Sequence, residues 1–378
     1  MLYELCTEDA TPEEVAPTFA NLLEGTSVVD FVQGTVIGVD ADQNRIFVSK
    51  TGGTNKGTPM GYDALVLATG ASVNLEKFSD EAECALPFYT IENCYELKRR
   101  FRFLESRQTG GKNCNIVVVG GGYSGVELAL NTKERLQNSN VTLVHRGEQV
   151  LEYATEYNRM TGINRLKEAG VKILTETSVE KVIPQITSEH PYKSAVVLSS
   201  DGTSSQIETD LLLWTAGAQS SNDGIGILNS VLPRDKKGRL VTGDEMIVRG
   251  FPNVFALGDV SRVSSTMYPA TAQVAIQQAP VVAWNLYSQL QSPEGKQELL
   301  TFSYANLGEM MTLGSEDATI TSLGGLVQLS GSPASVLRRL IYAVRMPTIS
   351  QAFVAGLEST GTRLNKRKGS SLKKNLWR

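Results

Sequence analysis

Residues Asn115 to Arg146 constrain the chain more than any other stretch, reading NIVVVGGGYSGVELALNTKERLQNSNVTLVHR. Ile116 to Val119 is a β-branched run of the length of one buried parallel strand. Gly120, Gly122 and Gly125 follow it in a G-x-G-x-x-G pattern, Val126 to Leu136 reads as a helix, and Val141 to Val144 is a second apolar strand. Such a βαβ unit is a dinucleotide site in outline. The three glycines do different things. Gly120 makes the tight turn, Gly122 admits a pyrophosphate to the backbone, and Gly125 lets helix and strand pack closely. The helix N-terminus then turns free N–H groups and a partial positive charge toward the phosphates.

The residues after the second strand bear on the choice of nucleotide. An acid there would bind the ribose 2′-OH of NADH, and a base would suit the 2′-phosphate of NADPH. The chain reads His145-Arg146-Gly147-Glu148, which favours NADPH. The alternative is a solvated Arg146, with Glu148 reaching the ribose.

At 378 residues the chain has room for two or three domains, and a hydrophobic content of 41% with 20% charged residues is that of a globular protein. A net charge of −4 argues against a nucleic-acid partner. Cys6, Cys84, Cys94 and Cys114 form no C-x-x-C and no ligand cluster, and only His145 and His190 could add imidazole, so no metal site is expected. The cysteines fit reduced, unpaired thiols. No apolar run reaches the length of a membrane span.

In chain order, Met1 to Leu23 reads as a helix with Thr11-Pro12-Glu13-Glu14 as a start signal. Val28 to Val39 and Arg45 to Ser49 read as strands. Thr90 to Leu104 and Tyr157 to Ala169 read as helices, Asp201-Gly202 as a hairpin turn, and Thr271 to Leu290 as a helix kinked by Pro280. One pattern occurs twice. Asp63-Ala-Leu-Val-Leu-Ala-Thr-Gly-Ala71 is echoed by Asp210-Leu-Leu-Leu-Trp-Thr-Ala-Gly-Ala218, on either side of the central βαβ unit. Two related dinucleotide folds, one inserted in the other, would give that pattern. The expected class is therefore α/β, with two nested Rossmann-like domains.

The order Ala68-Thr69-Gly70, the glycine fingerprint, Thr215-Ala216-Gly217 and Leu257-Gly258-Asp259 resembles the two-dinucleotide-binding-domain flavoproteins. Within them, Ala272-Gln273-Val-Ala275-Ile-Gln277 resembles the A-Q-x-A-x-Q stretch of type II NAD(P)H:quinone oxidoreductases, and Ala343-Val-Arg-Met-Pro-Thr348 resembles their plastid and cyanobacterial branch. The resemblance covers nearly the whole chain. It implies FAD as cofactor, NADPH or NADH as electron donor, a membrane quinone as acceptor, no proton pumping, and a chloroplast location on the thylakoid or plastoglobule surface; a homodimer is left open.

Residue by residue, the resemblance places Thr69, Gly70, Gly258 and Asp259 against FAD, and Ala272 near the isoalloxazine. It sets Gln273 and Gln277 beside the quinone, Glu127 near the nicotinamide, and Gly217 with Ala218 in the nicotinamide pocket. Each has a plainer reading. Asp259 could cap the next helix, Gln273 and Gln277 could form a solvated helix face, and Glu127 could be a first-turn acid held by the helix dipole. Absence of C-x-x-C separates the chain from the disulfide reductases.

The implied division is residues 1–75 and 219–290 for the FAD domain, 76–218 for the NAD(P)H domain, and 291–378 for a membrane-association region. No strand–GxGxxG–helix precedes Gly70. The expectation is therefore an N-terminally truncated chain with an incomplete FAD domain, which by itself holds FAD weakly or not at all, any targeting peptide lying upstream. Two other functions stay open: a flavin-free NADP(H)-binding remnant or interaction protein, and an FAD-linked reductase with a protein electron acceptor. Toward the C-terminus, Val336, Leu337, Leu340, Ile341 and Val344 share one helical face, with Arg338 and Arg339 elsewhere, and Arg363 to Arg378 carries seven Lys/Arg and no acid. That pairing suits an anionic membrane surface; a core-packed helix with a solvated tail is the alternative.

Overall fold

The computed structural model describes residues 2–7, 15–16, 18–23, 25–49, 57–73, 84–108, 113–220, 232–291 and 298–344. In order, the elements are α1 (Leu2–Cys6), α2 (Phe19–Leu22), β1 (Thr35–Asp40), β2 (Arg45–Ser49), β3 (Thr58–Gly61), β4 (Leu65–Leu67) and β5 (Ala71–Val73). Then come β6 (Ala85–Pro87), α3 (Ile91–Gln108), β7 (Cys114–Val119), α4 (Tyr123–Arg135), β8 (Ser139–Val144), α5 (Glu156–Glu168) and β9 (Lys172–Leu174). β10 (Thr177–Pro184), β11 (Ser194–Ser200), β12 (Thr203–Thr209), β13 (Leu211–Trp214) and β14 (Ala218–Ser220) follow. The last are β15 (Leu240–Thr242), β16 (Val254–Ala256), β17 (Ser261–Val263), α6 (Ala272–Gln291), β18 (Glu309–Thr312), β19 (Ala318–Ser322), β20 (Val327–Ser330) and α7 (Ser332–Val344).

The chain divides into two compact units. Unit 1 takes residues 1–29, 75–217 and 307–378, and unit 2 takes 30–74 and 218–306. Unit 1 is built on a parallel five-stranded sheet in the order β6-β13-β7-β8-β9. Both faces of β7 are covered: Ile116 and Val118 pack with α3, α4 and α5, while Val117 and Val119 pack with Val179, Val196 and Leu198 of the antiparallel β10-β11-β12 sheet. Two-sided burial is why that strand reads as an unbroken apolar run. A second antiparallel sheet, β18-β19-β20, carries α7 and belongs to the same unit. Unit 2 holds the antiparallel β1-β2-β3 sheet, the parallel pairs β4–β16 and β15–β17, the antiparallel pair β5–β14, and α6. The nested α/β class expected from the echoed strands is the class observed.

Several local expectations change. Met1 to Leu23 is not one helix: α1 ends where Thr7 turns its hydroxyl onto the Tyr3 carbonyl at 3.1 Å, and α2 is separate. The start signal at residues 11–14 lies outside the described residues. The strand expected from Val28 begins only at Thr35, where pairing with β2 begins; among the described residues β1 pairs with β2 alone, and Val28, Val29, Phe31 and Val32 are exposed. α3 runs to Gln108, with Asn93 Oδ1 accepting from the Thr90 N–H and Thr90 Oγ1 from the Asn93 N–H as a reciprocal cap. α6 continues through Pro280, and Asp201 and Gly202, both at positive φ, make the expected hairpin turn.

Candidate functional site

In unit 1 the glycine fingerprint leaves β7 at its carboxyl end. Gly120 has φ +117°, which few side chains tolerate, and a Cβ there would lie 2.5 Å from Thr215 Oγ1. Gly125 is tighter: a Cβ would lie 1.7 Å from the Gly120 carbonyl oxygen. Gly122, the N-cap of α4, has no side-chain cap and nothing within 4 Å of a built Cβ. A crowded turn with one open glycine at an uncapped helix N-terminus is what a pyrophosphate needs. NAD(P)H therefore fits this site.

Sequence reasoning missed two supports of that turn. Gly121, the unassigned position of the motif, donates its N–H to His145 Nδ1 at 3.1 Å, and its carbonyl accepts from the Leu151 N–H at 2.7 Å. A Cβ on Gly121 would meet the His145 ring at 2.6 Å. Burial lowers the His145 pKa, so the ring stays neutral with Nδ1 free to accept. His145 thus braces the loop from the end of β8. Arg146, the next residue, is exposed and its guanidinium has no partner among the described residues; the same holds for the exposed Glu148 carboxylate. Gly217, at φ +76° after β13, leaves open space around it.

Glu127 lies on the first turns of α4, and its Oε1 accepts from the Thr312 N–H at 3.0 Å. Burial pushes its carboxyl up. Beside it, Tyr123 donates its hydroxyl to Glu309 Oε2 at 2.6 Å, tying α4 to β18. The sequence could not join these, since 185 and 186 positions separate the partners.

In unit 2, β4 and β16 pair in parallel, so Thr69-Gly70 and Gly258-Asp259 leave the sheet side by side; the Leu257 N–H donates to the Leu67 carbonyl at 3.1 Å. Gly70 and Gly258 both have φ +70°. The half-buried Asp259 carboxyl is raised by burial and has no hydrogen-bond partner among the described residues. It borders a small cavity lined also by Arg262, Tyr268 and Gln278, where Arg262 Nε is buried and unpartnered. An unmatched acceptor and an unmatched donor lining one cavity are chemistry a flavin's ribityl and phosphate groups would satisfy. The fit is partial, because unit 2 shows no strand–glycine turn–helix among its described residues.

α6 supplies the remaining candidates. Ala272 is exposed at its first position. Gln273 Oε1 accepts from the Tyr304 hydroxyl at 2.7 Å, whereas Gln277 engages Ala305 with both amide atoms, donating at 2.9 Å and accepting at 3.0 Å. Gln278 was not singled out by any motif, yet it is 2% exposed and its Oε1 accepts the Gly258 N–H at 2.7 Å. It holds the turn that carries Asp259. The structure thus gathers Gly120, Gly122, Gly125, His145, Arg146 and Gly217 at one sheet end in unit 1, and Thr69, Gly70, Gly258, Asp259 and Ala272 in unit 2.

Comparison with known proteins adds to this geometry. The family model for pyridine nucleotide-disulphide oxidoreductases matches residues 1–279. Demethylphylloquinone reductase NdbB of Synechocystis is 35% identical over 361 residues, covering 94% of this chain and 83% of that protein. The chain belongs to this family, in its type II NAD(P)H:quinone oxidoreductase branch. The alternative NAD(P)H-ubiquinone oxidoreductase C1 of Arabidopsis thaliana, chloroplastic/mitochondrial, is 33% identical over 94% of this chain and 71% of its own length. Among solved structures, NDH2 of Plasmodium falciparum in complex with NADH superposes with a TM-score of 0.80 at 15% identity, covering 96% of this chain and 90% of that one, a likeness of fold. The branch membership agrees with a strand ending on a left-handed glycine in each of the two units. No group of residues suited to a metal ion occurs among the described residues.

Proposed function

We propose that this chain takes electrons from NADPH in preference to NADH, holds its flavin as FAD, and delivers the electrons to a quinone at an anionic membrane surface without pumping protons. As a type II NAD(P)H:quinone oxidoreductase it is an enzyme that moves a hydride from NAD(P)H to flavin and on to quinone. A bound flavin supplies the two-electron chemistry. The chain's own residues bind and orient. Gly120, Gly122, Gly125 and the N-terminus of α4 take the pyrophosphate, Arg146 the 2′-phosphate, and Gly217 the nicotinamide side. Thr69, Gly70, Gly258 and Asp259 take FAD, with Asp259 accepting a ribityl hydroxyl. Ala272 and Gln273 border the isoalloxazine, Gln273 and Gln277 the quinone, and Glu127 the nicotinamide.

The observation that carries the nucleotide assignment is the 1.7 Å clash a Cβ at Gly125 would make with the turn. Unpartnered Arg146 supports NADPH. Membrane association is supported by α7, which wears its apolar face outward: Val336 is 50% exposed and Val344 81%, while Arg338 is 1% exposed and paired with Glu4. The basic stretch Arg363 to Arg378 adds charge of the right sign for anionic lipid. The same reading puts the protein in the chloroplast, on thylakoid or plastoglobule membrane, and the chloroplastic/mitochondrial Arabidopsis relative supports the organelle.

Purified protein tests the reading directly. Released flavin identified as FAD, and NADPH oxidation faster with a soluble quinone than with ferredoxin, would support it. Protein that binds NADPH but shows no flavin absorbance would favour the flavin-free remnant, and ferredoxin-dependent turnover would favour the protein-acceptor reductase.

A further inference from the structure

Two of the four cysteines meet in unit 1, although neither motif nor spacing pairs them. Cys6, the last residue of α1, and Cys94, in the first turn of α3, are 88 positions apart and are 1% and 0% exposed. Cys6 Sγ donates toward the Cys94 carbonyl at 3.6 Å and Cys94 Sγ donates to the Thr90 carbonyl at 3.3 Å, so both thiols lie at the start of α3. We propose that Cys6 and Cys94 form a redox-active dithiol, a modification site whose oxidation by a low-molecular-weight disulfide staples α1 to α3.

The surroundings favour Cys94 as the attacking thiol. The Cys6 thiol beside it lowers the Cys94 pKa, and the Cys94 thiol raises that of Cys6. The capped N-terminus of the 18-residue α3 adds the positive end of a helix dipole. Cys114 differs: its thiol takes a hydrogen bond from Gln108 at 3.2 Å, and burial pushes its pKa up.

Access comes from α1, which has only five residues and so can open locally. It is held by Arg135, which donates to the Cys6 carbonyl, and by Arg338 of α7, which donates to the Tyr3 hydroxyl at 3.1 Å and pairs with Glu4. Once α1 lifts, the Cys94 thiolate attacks one sulfur of glutathione disulfide, forming a mixed disulfide and releasing one glutathione thiolate. Cys6 then loses its proton and attacks the Cys94 sulfur, forming the Cys6–Cys94 bond and releasing the second. Two electrons pass from the protein to the glutathione disulfide, and the two protons end on the released thiols. With the bond in place α1 stays packed on α3, and Tyr3 and Glu4 stay beside Arg338 of α7.

The test uses the full chain incubated with glutathione disulfide in mild urea, alkylated, and digested without reduction. The expected result is loss of two of the four thiols and one linked peptide joining Cys6 to Cys94. A reversible rise in Tm of roughly 10 °C accompanies it, for a bond closing a loop of this length. Dithiothreitol reverses both. Cys94→Ala and Cys6→Ala lose the effect, and Cys114→Ala keeps it. Four alkylated thiols, glutathione persisting as a mixed disulfide on Cys94, or a linked peptide joining another pair would each overturn the proposal. Because the peptide is read on the natural chain, poor folding of a variant does not decide the outcome.

Discussion

The strands β4 and β13 begin from nearly the same sequence and end in different company. Each runs through a small-residue turn to a glycine in the left-handed region, Gly70 at φ +70° and Gly217 at φ +76°. Yet β13 lies between β6 and β7 with Leu211, Leu212 and Leu213 wholly buried, whereas β4 has β16 as its one partner among the described residues and leaves Val66 40% exposed. Strand and turn are local instructions, carried by a few residues; the number of neighbours is supplied by the rest of each unit. The consequence is a difference in tolerance. It falls not at Gly217, where a Cβ meets nothing within 4 Å just as at Gly70, but at the turn after β7 that β13 packs against, where Thr215 Oγ1 and the Gly120 carbonyl fill the space a side chain would need.

Adding carbon to a glycine of each turn separates the two units most strongly. Gly125→Val drives carbon into the Gly120 carbonyl, and the turn cannot yield without leaving β7. A cost of about 4 kcal/mol or more, hence a loss of NADPH affinity of roughly 1000-fold, is expected by fluorescence titration. Gly70→Ala meets open space and bears only the left-handed backbone cost of about 1 kcal/mol, so flavin retention should fall less than tenfold. Equal losses from the two variants would show that the crowding in unit 1 does not shape its site.

Gln278 gives the next largest effect and belongs to unit 2 alone. Gln278→Leu leaves the Gly258 N–H without its acceptor, at a cost of about 1–3 kcal/mol. Flavin content after gel filtration should drop by roughly tenfold or more, with NADPH affinity unchanged. Gln278→Glu keeps an acceptor and should recover part of the loss. If both variants lose flavin equally, the hydrogen bond to Gly258 is not what positions Asp259.

Arg146 belongs to unit 1 alone. Arg146→Ala removes an exposed cation with no partner among the described residues, so stability should hold. KM for NADPH should rise about tenfold, the worth of one phosphate contact, and KM for NADH should stay put. A parallel rise for both nucleotides would return the ribose to Glu148.

How far the sequence could be read follows from the same contrast. The fingerprint, the echoed strands and the Leu257-Gly258-Asp259 turn were legible because each is written in fewer than about ten consecutive residues, with the physics of the turn local to them. Gln278 was not, since its meaning lies in Gly258, 20 positions away on another element. Arg338 was misplaced in kind. Helical spacing sets it apart from the apolar face of α7, which suggests solvent, but the structure turns that face outward and buries the arginine against Glu4, 334 positions distant. Burial opposes the charge, and Tyr3 and Glu4 beside it outweigh that cost. Only tertiary pairing could reveal an inverted helix.

The brace of the unit 1 turn, unlike Gln278 in unit 2, is titratable. The Gly121 N–H needs a lone pair on His145 Nδ1, and burial holds the folded imidazole below its ordinary value of about 6.5. As pH falls through about 6.5, the unfolded chain takes the proton before the folded one does. The stability His145 contributes is therefore full above that pH and is lost as acidification proceeds, until the folded ring is protonated too. Protonated Nδ1 cannot accept from Gly121, so NADPH affinity should weaken over the same window while flavin retention does not. His145→Asn offers an oxygen in place of Nδ1 and carries no titratable proton, so its NADPH affinity should be flatter between about pH 7.5 and 5.5. Parallel losses in His145→Asn and the natural protein would place the pH sensitivity elsewhere, and the loop would then owe its shape to the glycines alone.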